Sequence, residues 1–571
     1  MAGREAQWQR WAGGLLGLAV FAVAVFRVLA GEAGALERAY CLVVLLCLAL
    51  AAAALSGRPG FGLFLAGVLG LILRYASDTK VALLHAPLLM PDLRHAFDPQ
   101  TLSVFLHYEG IVRAGLGAGL GGALALALAW RWNGPDRWRR VASRSRRVLA
   151  RVVASGAVVL LAGFTLGPHG PFARLHALQV WEFLLSTGPN PLTAFFLSTT
   201  RMQVQLPSYD PAAAALRDWS APAPPPSARR PDLLAVLEES TFPPRLLALC
   251  DRPECDAALF AEDARTVGGG DLRVHTYGGA TWVTEFAFLA GLPHTLFGPA
   301  GIYAPYDLAP RLRHSLVRTL KAQGYRTVAI YPMRRDFGNA QAAYAAYGFD
   351  ALYDAVDLGL RWESPDTEYA QRVAEIWQRE RAQAGDAPLF VFALTMRQHG
   401  PHRDPLESLP PPFNRPLFPQ ANAATNLALG NYLARLHQSD AAMPTFEHLV
   451  LDGPRPGVLL HFGDHQPAFD GLEMGLEKRV PPGLEGIAHS LTYYRIKASG
   501  AGAPLPRYAL TDVSFLGGLL LQAAGLDPGP YFGANMRLRE ACAGRFLECP
   551  DATTLQSYYA EVFGRQGVLA R

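Results

Sequence analysis

The stretch Gly457-Val458-Leu459-Leu460-His461-Phe462-Gly463-Asp464-His465 decides the fold of this chain. Its apolar run is typical of a strand that is buried on both faces, as in parallel sheets covered by helices. The run ends in Asp464 and His465, whose side chains are both metal ligands. Open α/β sheets bind ligands beyond the carboxyl ends of their strands. The stretch therefore predicts an α/β sheet with a metal-binding edge, and a purely structural Asp-His turn is the alternative interpretation.

Other apolar runs in the second half of the chain also end in polar residues. Leu233–Leu237 is followed by Glu239, and Pro388–Leu394 is followed by His399. Apolar strands that alternate with helix-like segments favour a mostly parallel sheet that is covered on both faces. Further strands are predicted at Arg326–Tyr331 and Thr492–Ala498, and a buried helix at Val513–Ala524. The side chains expected to share one edge of the sheet are Glu239, His399, Asp464 and His465.

A glycine-containing segment, Tyr277-Gly278-Gly279-Ala280-Thr281-Trp282-Val283-Thr284-Glu285-Phe286, supplies a candidate nucleophile. The glycines permit unusual backbone angles and a close approach of the chain, and Thr281 then begins a helix-like stretch. A hydroxyl at a helix amino terminus faces free N–H groups that suit a phosphate. Because a free hydroxyl is a poor nucleophile at neutral pH, a metal beside Thr281 would be needed to activate it. The alternative interpretation is that Thr281 is an ordinary N-cap.

The apolar residues of the 571-residue chain are concentrated near its amino terminus. A helix needs about 20 apolar residues to cross the core of a bilayer, and five segments approach or reach that length. They are Trp11–Ala30, Tyr40–Leu55, Phe61–Tyr75, Ile111–Trp130 and Val148–Leu166. We therefore predict a transmembrane domain at 1–166, a juxtamembrane connector at 167–230 and an outer domain at 231–571. Within the connector, Leu178–Thr199 is expected to lie on the membrane surface or against the outer domain, and Ala221–Pro226 to be extended.

The positions of the arginines orient this bundle. Arg4 and Arg10 precede the first segment, and a cluster separates the fourth from the fifth: Arg131, Arg137, Arg139, Arg140, Arg144, Arg146 and Arg147. Positive residues stay on the cytoplasmic side. Five spans with a cytoplasmic amino terminus place everything after Leu166 outside. The formal charge of +4 largely reflects these arginines, so we predict no nucleic-acid partner.

Four of the six cysteines form two close pairs, Cys250/Cys255 and Cys542/Cys549. Both pairs fall in the predicted outer domain, where disulfides persist. Local pairing is the simplest connectivity, although spacing alone does not decide it. Cys41 and Cys47 lie in the second predicted span and are expected to be small apolar residues.

The order of these motifs resembles that of membrane-anchored phosphotransferases of the alkaline phosphatase/sulfatase superfamily. The motifs are Leu237–Ser240, Ala280-Thr281 followed by Glu285-Phe286, Gln398-His399 and Gly463-Asp464-His465. The layout is similar to that of lipoteichoic acid synthase and related phosphoglycerol transferases. Phosphoethanolamine transferases share it, and the triplet His399-Gly400-Pro401 looks closer to theirs.

The resemblance implies a five-helix transmembrane bundle joined to an alkaline phosphatase-like α/β catalytic domain. It places the chain in a bacterial inner membrane, with the catalytic domain on the periplasmic or extracellular side. It also implies that Glu239, Thr281, Asp464 and His465 bind one Mn²⁺ or Zn²⁺, that Thr281 is the covalent nucleophile, and that His399 contacts the substrate phosphate. The implied donor is a phospholipid, with a phosphoglycerol or phosphoethanolamine head group, and the implied acceptor is a glycan or a lipid-linked sugar.

The chain departs from the glycerol-phosphate enzymes after the predicted strand Arg326–Tyr331. Those enzymes typically have an aromatic residue and an arginine on either side of an asparagine. In this chain, Gly338 and Ala340 flank Asn339. We expect Arg334 or Arg335 to substitute, and the donor head group stays open.

Three alternatives to phosphotransfer remain. A sulfatase would need a C/S-x-P-x-R pattern, which Cys250-Asp251-Arg252-Pro253-Glu254 does not fit. A hydrolase of the same superfamily would pass the phosphate to water, and a non-catalytic envelope assembly protein would not react at all. His402 lies close to His399 in sequence, and we predict that it is a solvent-facing loop residue rather than a second phosphate ligand.

Overall fold

The computed structural model describes residues 2–84, 86–93, 109–132, 138, 143–176, 191–198, 204–220, 230–469, 472, 476–500 and 504–570. The chain divides into two compact units, Met1–Met202 and Gln203–Arg571. The predicted connector at 167–230 spans this division. Most of its apolar stretch Leu178–Thr199, and all of Ala221–Pro226, lie outside the described residues.

The amino-terminal unit is built from long apolar helices. They are α1 (Ala2–Leu29), α2 (Ala35–Ser56), α3 (Pro59–Leu84), α4 (Glu109–Trp132), α5 (Arg144–Leu166) and the short α6 (Pro191–Leu197). Among the described residues, four helical segments are long and apolar enough to cross a membrane, in α2 to α5. The apolar part of α1 whose side chains are described, Gly13–Leu29, is shorter. The described residues thus contain four candidate spans, where the sequence predicted five, and their apolar composition is that of a membrane anchor.

Two contacts connect the turn between α2 and α3 to the end of α4 and to Trp138. The guanidinium group of Arg58, in the turn between α2 and α3, lies 4.2 Å from the ring centroid of Trp130 in the last turns of α4. The indole N–H of Trp138 donates to the carbonyl oxygen of Ala54 at 2.7 Å. The last turns of α4 and Trp138 therefore lie beside the turn between α2 and α3.

The carboxyl-terminal unit is organised around one eight-stranded sheet. Its strands are β1 (Asp232–Glu238), β2 (Thr266–Arg273), β3 (Arg326–Ile330), β4 (Ala351–Tyr353), β5 (Leu389–Leu394), β6 (Gly457–Gly463), β7 (Leu491–Ala498) and β8 (Thr511–Asp512), in the order β4-β3-β5-β1-β6-β7-β2-β8. Five of the seven strand pairings are parallel, which confirms the prediction of a mostly parallel sheet.

The helices of this unit connect the strands. They are α7 (Thr281–Ala290), α8 (Ala304–Asp307), α9 (Leu316–Ala322), α10 (Ala340–Tyr347), α11 (Ala355–Leu358), α12 (Asp366–Ala384), α13 (Ala423–Leu451), α14 (Leu516–Ala523), α15 (Gly529–Ala541) and α16 (Ala552–Tyr559). The last continues as a π-helical turn, Ala560–Arg565. The predicted helix Val513–Ala524 is a 3₁₀ turn followed by α14.

Helices pack on both faces of the central strands. Phe288 of α7 lies 5.5 Å from Phe392 and 5.1 Å from Phe462, measured between ring centroids. Side chains on the other face, such as Val391, belong to a buried cluster with Val373 of α12 and Phe446 of α13. Successive residues of a strand point to opposite faces, so one apolar run supplies both interfaces.

The four cysteines of this unit form two disulfides, each between cysteines that are close in sequence. Cys250 is disulfide-bonded to Cys255, and Cys542 to Cys549. Each bridge closes a short surface loop after β1 or at the end of α15. The structure therefore shows the local connectivity that the spacing alone did not decide.

Candidate metal and nucleophile site

The register of two parallel strands brings the first two acidic residues together. Glu238, at the end of β1, pairs with Gly463 at the end of β6. The N–H of Asp464 then donates to the carbonyl oxygen of Glu238 at 3.1 Å. Glu239 and Asp464 are the residues that follow these paired strand ends, so both emerge at the carboxyl edge of the sheet side by side.

Glu239, Asp464 and His465 form a buried cluster of metal-ligating types. One ligand atom from each lies within 4.8 Å of the others, and the exposed fractions are 2%, 0% and 1%. His465 Nε2 lies 3.2 Å from Asp464 Oδ2 and 3.5 Å from Glu239 Oε1. The structure therefore brings together three of the four residues predicted to bind metal.

The protonation pattern of the cluster leaves two lone-pair atoms facing each other. His465 Nδ1 lies 3.1 Å from the carbonyl oxygen of Gln466, and a carbonyl only accepts, so Nδ1 carries the proton. Nε2 of His465 and Oδ2 of Asp464 are buried and make no hydrogen bond within the described part of the chain. Orphaned buried polar atoms are rare because they cost free energy. A divalent cation between them would satisfy both, so the residues present fit a metal ion.

Hydrogen bonds hold the remaining oxygens of the two carboxylates. Oδ1 of Asp464 accepts from the backbone N–H groups of Ser240 and of His465, both at 2.6 Å. The hydroxyl of Ser240 donates to Glu239 Oε1 at 2.7 Å. These hydrogen bonds orient both carboxylates, and among the described residues they leave Oδ2 of Asp464 without a partner, as expected of an oxygen that binds a metal.

Thr281 completes the group from another part of the chain. It is the first residue of α7, its side chain is partly exposed, and its hydroxyl donates to Glu239 Oε2 at 2.9 Å. The preceding Ala280 has a left-handed conformation with φ of 63°, which an alanine adopts only when its surroundings enforce it. The threonine is therefore held beside the three buried ligand candidates while remaining open to a substrate.

Two bonds tie the Thr281 segment to the Asp464 loop. The N–H of Gly278 donates to the carbonyl oxygen of Gln466 at 2.9 Å, and the hydroxyl of Thr284 donates to the carbonyl oxygen of Asp464 at 2.9 Å. Gly278 has φ of 67°, which glycine adopts without the penalty that a side chain brings. The nucleophile candidate and the β6 loop are thus positioned as one body.

The electrostatics of the cluster favour a bound cation. Burial and the negative charge of Glu239 raise the pKa of Asp464 well above its ordinary value. Burial opposes ionisation of Glu239 too, but the imidazoles of His465 and His399 outweigh it, so the pKa of Glu239 lies below its ordinary value. Burial lowers the pKa of His465. Without an ion, a proton on Asp464 would fill the space between the two lone pairs, and a divalent cation replaces such protons on binding.

His399 lies beside the cluster on the loop that follows β5. Its Nδ1 is 2.7 Å from the carbonyl oxygen of Gly400, so Nδ1 carries the proton and Nε2 is left for another partner. The ring of Trp362 packs edge-on against it, with 4.7 Å between the centroids. β5 and β6 flank β1 in the sheet, which explains why the loops after all three strands converge.

The prediction for His402 is wrong. This residue is buried, with 3% of its surface exposed, and its Nε2 lies 2.9 Å from the carbonyl oxygen of Gln398. Its ring packs against Tyr432 and Phe469, and burial lowers its pKa well below the ordinary value. It is a neutral histidine within the core, because α13 covers the loop that carries it.

The two arginines considered as head-group ligands are both paired with carboxylates. Arg335 donates to Asp354 at 2.8 Å and also contacts Asp357, and Arg334 lies 3.2 Å from Asp336. Arg335 therefore anchors the loop after β3 to α11.

Sequence reasoning missed a partner of Glu285 in this neighbourhood. Glu285 lies one turn after Thr281, is buried, and accepts a hydrogen bond from the hydroxyl of Tyr344 at 2.6 Å. Burial raises the pKa of Glu285 to about 7. The motif Glu285-Phe286 indicated the carboxylate, but only the fold brings α10 and its tyrosine to it.

A family model matches the central part of the carboxyl-terminal unit. Residues 270–500 match the model described as Sulfatase, and this range contains Thr281, His399, Asp464 and His465. This part of the carboxyl-terminal unit is therefore similar to the Sulfatase family. The formylglycine pattern of true sulfatases is missing from the sequence, so this similarity does not imply sulfate-ester cleavage.

Relatives of this sulfatase-like chain include two bacterial proteins of comparable length. A protein of Haemophilus influenzae whose function is uncharacterized is 29% identical over 508 residues, which are 86% of this chain and 88% of that one. A Rhizobium meliloti protein, provisionally named as a cyclic beta-1,2-glucan modification protein, is 24% identical over 509 residues, covering 84% of this chain and 76% of the other.

Solved structures with a similar fold include two transferases. The phosphoglycerol transferase GacH of Streptococcus pyogenes is 16% identical, with a TM-score of 0.48, over 63% of this chain and 95% of that one. The lipooligosaccharide phosphoethanolamine transferase A of Neisseria meningitidis is 13% identical, with a TM-score of 0.46, over 86% and 96%. Neither likeness is close enough to carry a substrate or a residue role to the sulfatase-like chain.

Proposed function

We propose that this chain is a metal-dependent phosphotransferase that moves the phosphorylated head group of a phospholipid, through Thr281, to a glycan acceptor outside the cytoplasmic membrane. The observation that supports it most is the position of the Thr281 hydroxyl, 2.9 Å from Glu239 Oε2, beside a cluster whose two unpartnered atoms need a cation.

Glu239, Asp464, His465 and Thr281 would hold one Mn²⁺ or Zn²⁺. Both ions accept the mixture of carboxylate and imidazole ligands that these residues offer. When bound, the ion supplies positive charge that lowers the pKa of the threonine hydroxyl and neutralises charge on the phosphoryl oxygens.

In the first step, Thr281 Oγ1 attacks the phosphorus atom of the lipid head group. The bond from phosphorus to the diacylglycerol oxygen breaks, the phosphorylated head group stays on Thr281, and diacylglycerol leaves with a proton. Glu239 orients the attacking hydroxyl through the hydrogen bond that it accepts. His399 begins this step with both ring nitrogens protonated, and its Nε2 contacts the phosphate and delivers a proton to the leaving oxygen. The proton of the Thr281 hydroxyl is released to water.

In the second step, a hydroxyl of the acceptor attacks the same phosphorus atom. The bond from phosphorus to Thr281 Oγ1 breaks, and the head-group phosphate passes to the acceptor. His399, neutral after the first step, takes the acceptor proton at Nε2, and the oxygen of Thr281 regains its proton from water. One imidazole therefore serves both steps in opposite directions.

The membrane anchor suits a lipid donor. A site tethered to the bilayer meets head groups at a high effective concentration instead of searching the bulk solution. The donor is phosphatidylglycerol or phosphatidylethanolamine. The name of the Rhizobium meliloti relative favours a neutral glucan as the acceptor.

The proposal is tested on the purified full-length protein in lipid nanodiscs with Mn²⁺ or Zn²⁺ added. Intact mass spectrometry after incubation with each phospholipid should detect an adduct on Thr281 whose mass identifies the head group. Thr281→Ala should form none, and Thr295→Ala, which replaces an exposed threonine after α7, should behave as the native chain. An adduct that persists in Thr281→Ala would refute the assignment of the nucleophile.

The fate of the adduct distinguishes a transferase from a hydrolase. A transferase should hold the adduct in buffer and lose it when an oligosaccharide acceptor is added, with the head-group phosphate recovered on the sugar. Rapid release of the head-group phosphate into buffer, with the same rate with and without acceptor, would favour a hydrolase of the same superfamily.

A further inference from the structure

A cavity of about 620 Å³ lies beside α13, on the side of the unit that carries the His399 loop. Small-molecule sites in proteins have volumes of about 300–1,000 Å³. Three consecutive prolines at 410–412 and Phe413 form one wall, and Thr367, His437 and Gln438 lie among the other lining residues. The cavity therefore combines apolar ring surfaces with neutral hydrogen-bonding side chains.

The polar side chains of this cavity are fixed in position. Gln438 Oε1 accepts from Arg397 Nε at 2.7 Å, which leaves the amide NH₂ group of Gln438 as a donor. His437 Nε2 lies 3.1 Å from the carbonyl oxygen of Glu254, so Nε2 carries the proton and Nδ1 is left as an acceptor. A fixed donor and a fixed acceptor beside flat apolar rings match a sugar, which has hydroxyls at its edge and C–H groups on its faces.

The charge of the lining also favours a neutral ligand. The one carboxylate in it, that of Glu254, lies 2.9 Å from the guanidinium group of Arg252. An anionic ligand such as a phosphate would need cationic side chains or a helix amino terminus, and the described lining contains no lysine or arginine. A neutral oligosaccharide therefore fits this cavity better than a phosphorylated one.

Arg397 connects the cavity to the candidate active site. Its Nε donates to Gln438 in the cavity wall, and its Nη1 donates to the carbonyl oxygen of Glu363 at 3.0 Å. Glu363 directly follows Trp362, whose ring packs against the imidazole of His399. Arg397 is thus hydrogen-bonded both to the cavity wall and to the segment whose Trp362 ring packs against His399.

We propose that this cavity is the acceptor subsite, and that it holds a neutral oligosaccharide whose chain continues across Arg397 and Trp362 to present a hydroxyl to His399. The proposal rests on the proposed function, because it assigns the acceptor of that reaction. It explains why a sheet edge built for phosphate chemistry is joined to a separate site that lacks free positive charge.

A cavity-filling substitution tests the subsite. Ala441 lines the cavity from the exposed surface of α13, so Ala441→Trp places a ring in the cavity without entering the core. Ala424→Trp, at an exposed position of the same helix outside the cavity lining, is the matched control. The first readout is the binding of cyclic and linear neutral gluco-oligosaccharides to full-length Thr281→Ala protein in nanodiscs. This binding is measured by saturation-transfer NMR. The second is the KM for the oligosaccharide in transfer from the phospholipid.

We expect Ala441→Trp to weaken binding and to raise the acceptor KM by roughly tenfold or more, because the ring occupies space that the sugar needs. The rate of adduct formation on Thr281 from phospholipid alone should match that of Ala424→Trp. The subsite would be overturned if both variants bound the oligosaccharides equally well. It would also be overturned if neither the Thr281→Ala protein nor the native chain bound any of the oligosaccharides. Failure to form any adduct would instead overturn the proposed phosphotransfer. The binding measurement does not depend on adduct formation, so the two failures can be distinguished.

Discussion

The guanidinium group of Arg435 donates to the carbonyl oxygen of His399 at 2.8 Å. The same side chain reaches the carbonyl oxygen of Pro401 at 3.0 Å and the carboxylate of Asp404 at 3.1 Å. It is 8% exposed and projects from α13. One planar side chain thus fixes three points of the loop that carries the candidate substrate histidine.

Arg435 is one of three regularly spaced contacts. Asn431, four residues earlier, exchanges hydrogen bonds with the backbone of Asp404 at 2.8 and 3.1 Å. Ser439, four residues later, accepts from Gln398 at 2.8 Å. Residues four apart share one face of a helix. One stripe of α13 therefore positions the whole His399 loop.

Replacing Arg435 by lysine should lower kcat in the transfer reaction roughly ten- to hundredfold, because a small displacement of a catalytic group has effects of that size. A lysine ammonium cannot reproduce the planar fork that bridges several acceptors. Steady-state kinetics and the pH profile of kcat measure the effect, and the metal content should stay unchanged. Arg372→Lys, on the exposed face of α12, is the control. Native kcat and an unshifted pH profile in Arg435→Lys would show that the stripe serves folding alone.

Replacing Glu239 by glutamine should remove the metal while leaving the fold intact. An amide keeps the shape of the side chain but is a much weaker ligand than a carboxylate. Glu238→Gln is a matched control, because Glu238 is the preceding residue and accepts a hydrogen bond from Tyr493 instead. Elemental analysis after chelation and reloading should find the ion in the control and in the native chain only. Equal metal content in both variants would contradict the ligand set.

Gly463→Ala should destabilise the protein and disturb the site together. A Cβ at this position would lie 1.8 Å from the carbonyl oxygen of Thr241, and a backbone atom cannot move aside easily. Overpacking of this kind costs about 1–3 kcal/mol. Gly486→Ala is the control, since nothing lies within 4 Å of its added methyl group. Thermal unfolding and metal affinity are the measurements, and a Gly463→Ala protein as stable as the control would mean that the strand end is not tightly packed.

His294 should make the protein less stable in acid. Burial, together with the neighbouring His275, lowers the pKa of His294 to about 3 from its ordinary value of 6.5, and its Nδ1 makes no hydrogen bond within the described residues. Below pH 6.5 the unfolded chain binds a proton that the folded chain refuses, so the free energy of unfolding falls as the pH falls. The loss reaches about 2 kcal/mol at pH 5, at about 1.4 kcal/mol per pH unit.

The leucine variant of His294 isolates this contribution. The difference in unfolding free energy between pH 7 and pH 5, followed by denaturation of the full chain, should shrink by about 2 kcal/mol in His294→Leu. His448→Leu replaces a histidine whose side chain is 83% exposed, and it should leave the difference unchanged. An identical loss in the native chain and in His294→Leu would rule out His294 as the source.

The long apolar strands could be predicted from sequence, while the short or glycine-rich ones could not. β1, β5, β6 and β7 are apolar runs of ordinary length, and each matches a predicted strand. β2 reads Thr-Val-Gly-Gly-Gly-Asp-Leu-Arg, and glycine is depleted in strands. It is a strand because β7 pairs with it along its length. β8 has two residues, too few for any periodic signal.

The amino-acid sequence was enough to predict that an apolar helical part is joined to a domain that carries the chemistry. A continuous apolar composition makes the amino-terminal helices a membrane anchor, and polar residues directly after apolar strands place chemistry at one edge of a parallel sheet. Only the tertiary structure decided which polar residues meet. Glu239 faces Thr281 while its neighbour Glu238 contacts Tyr493, and His399 lies at the site while His402 lies in the core. The reason is physical: these choices depend on strand order, register and helix packing, which are contacts between segments far apart in the chain.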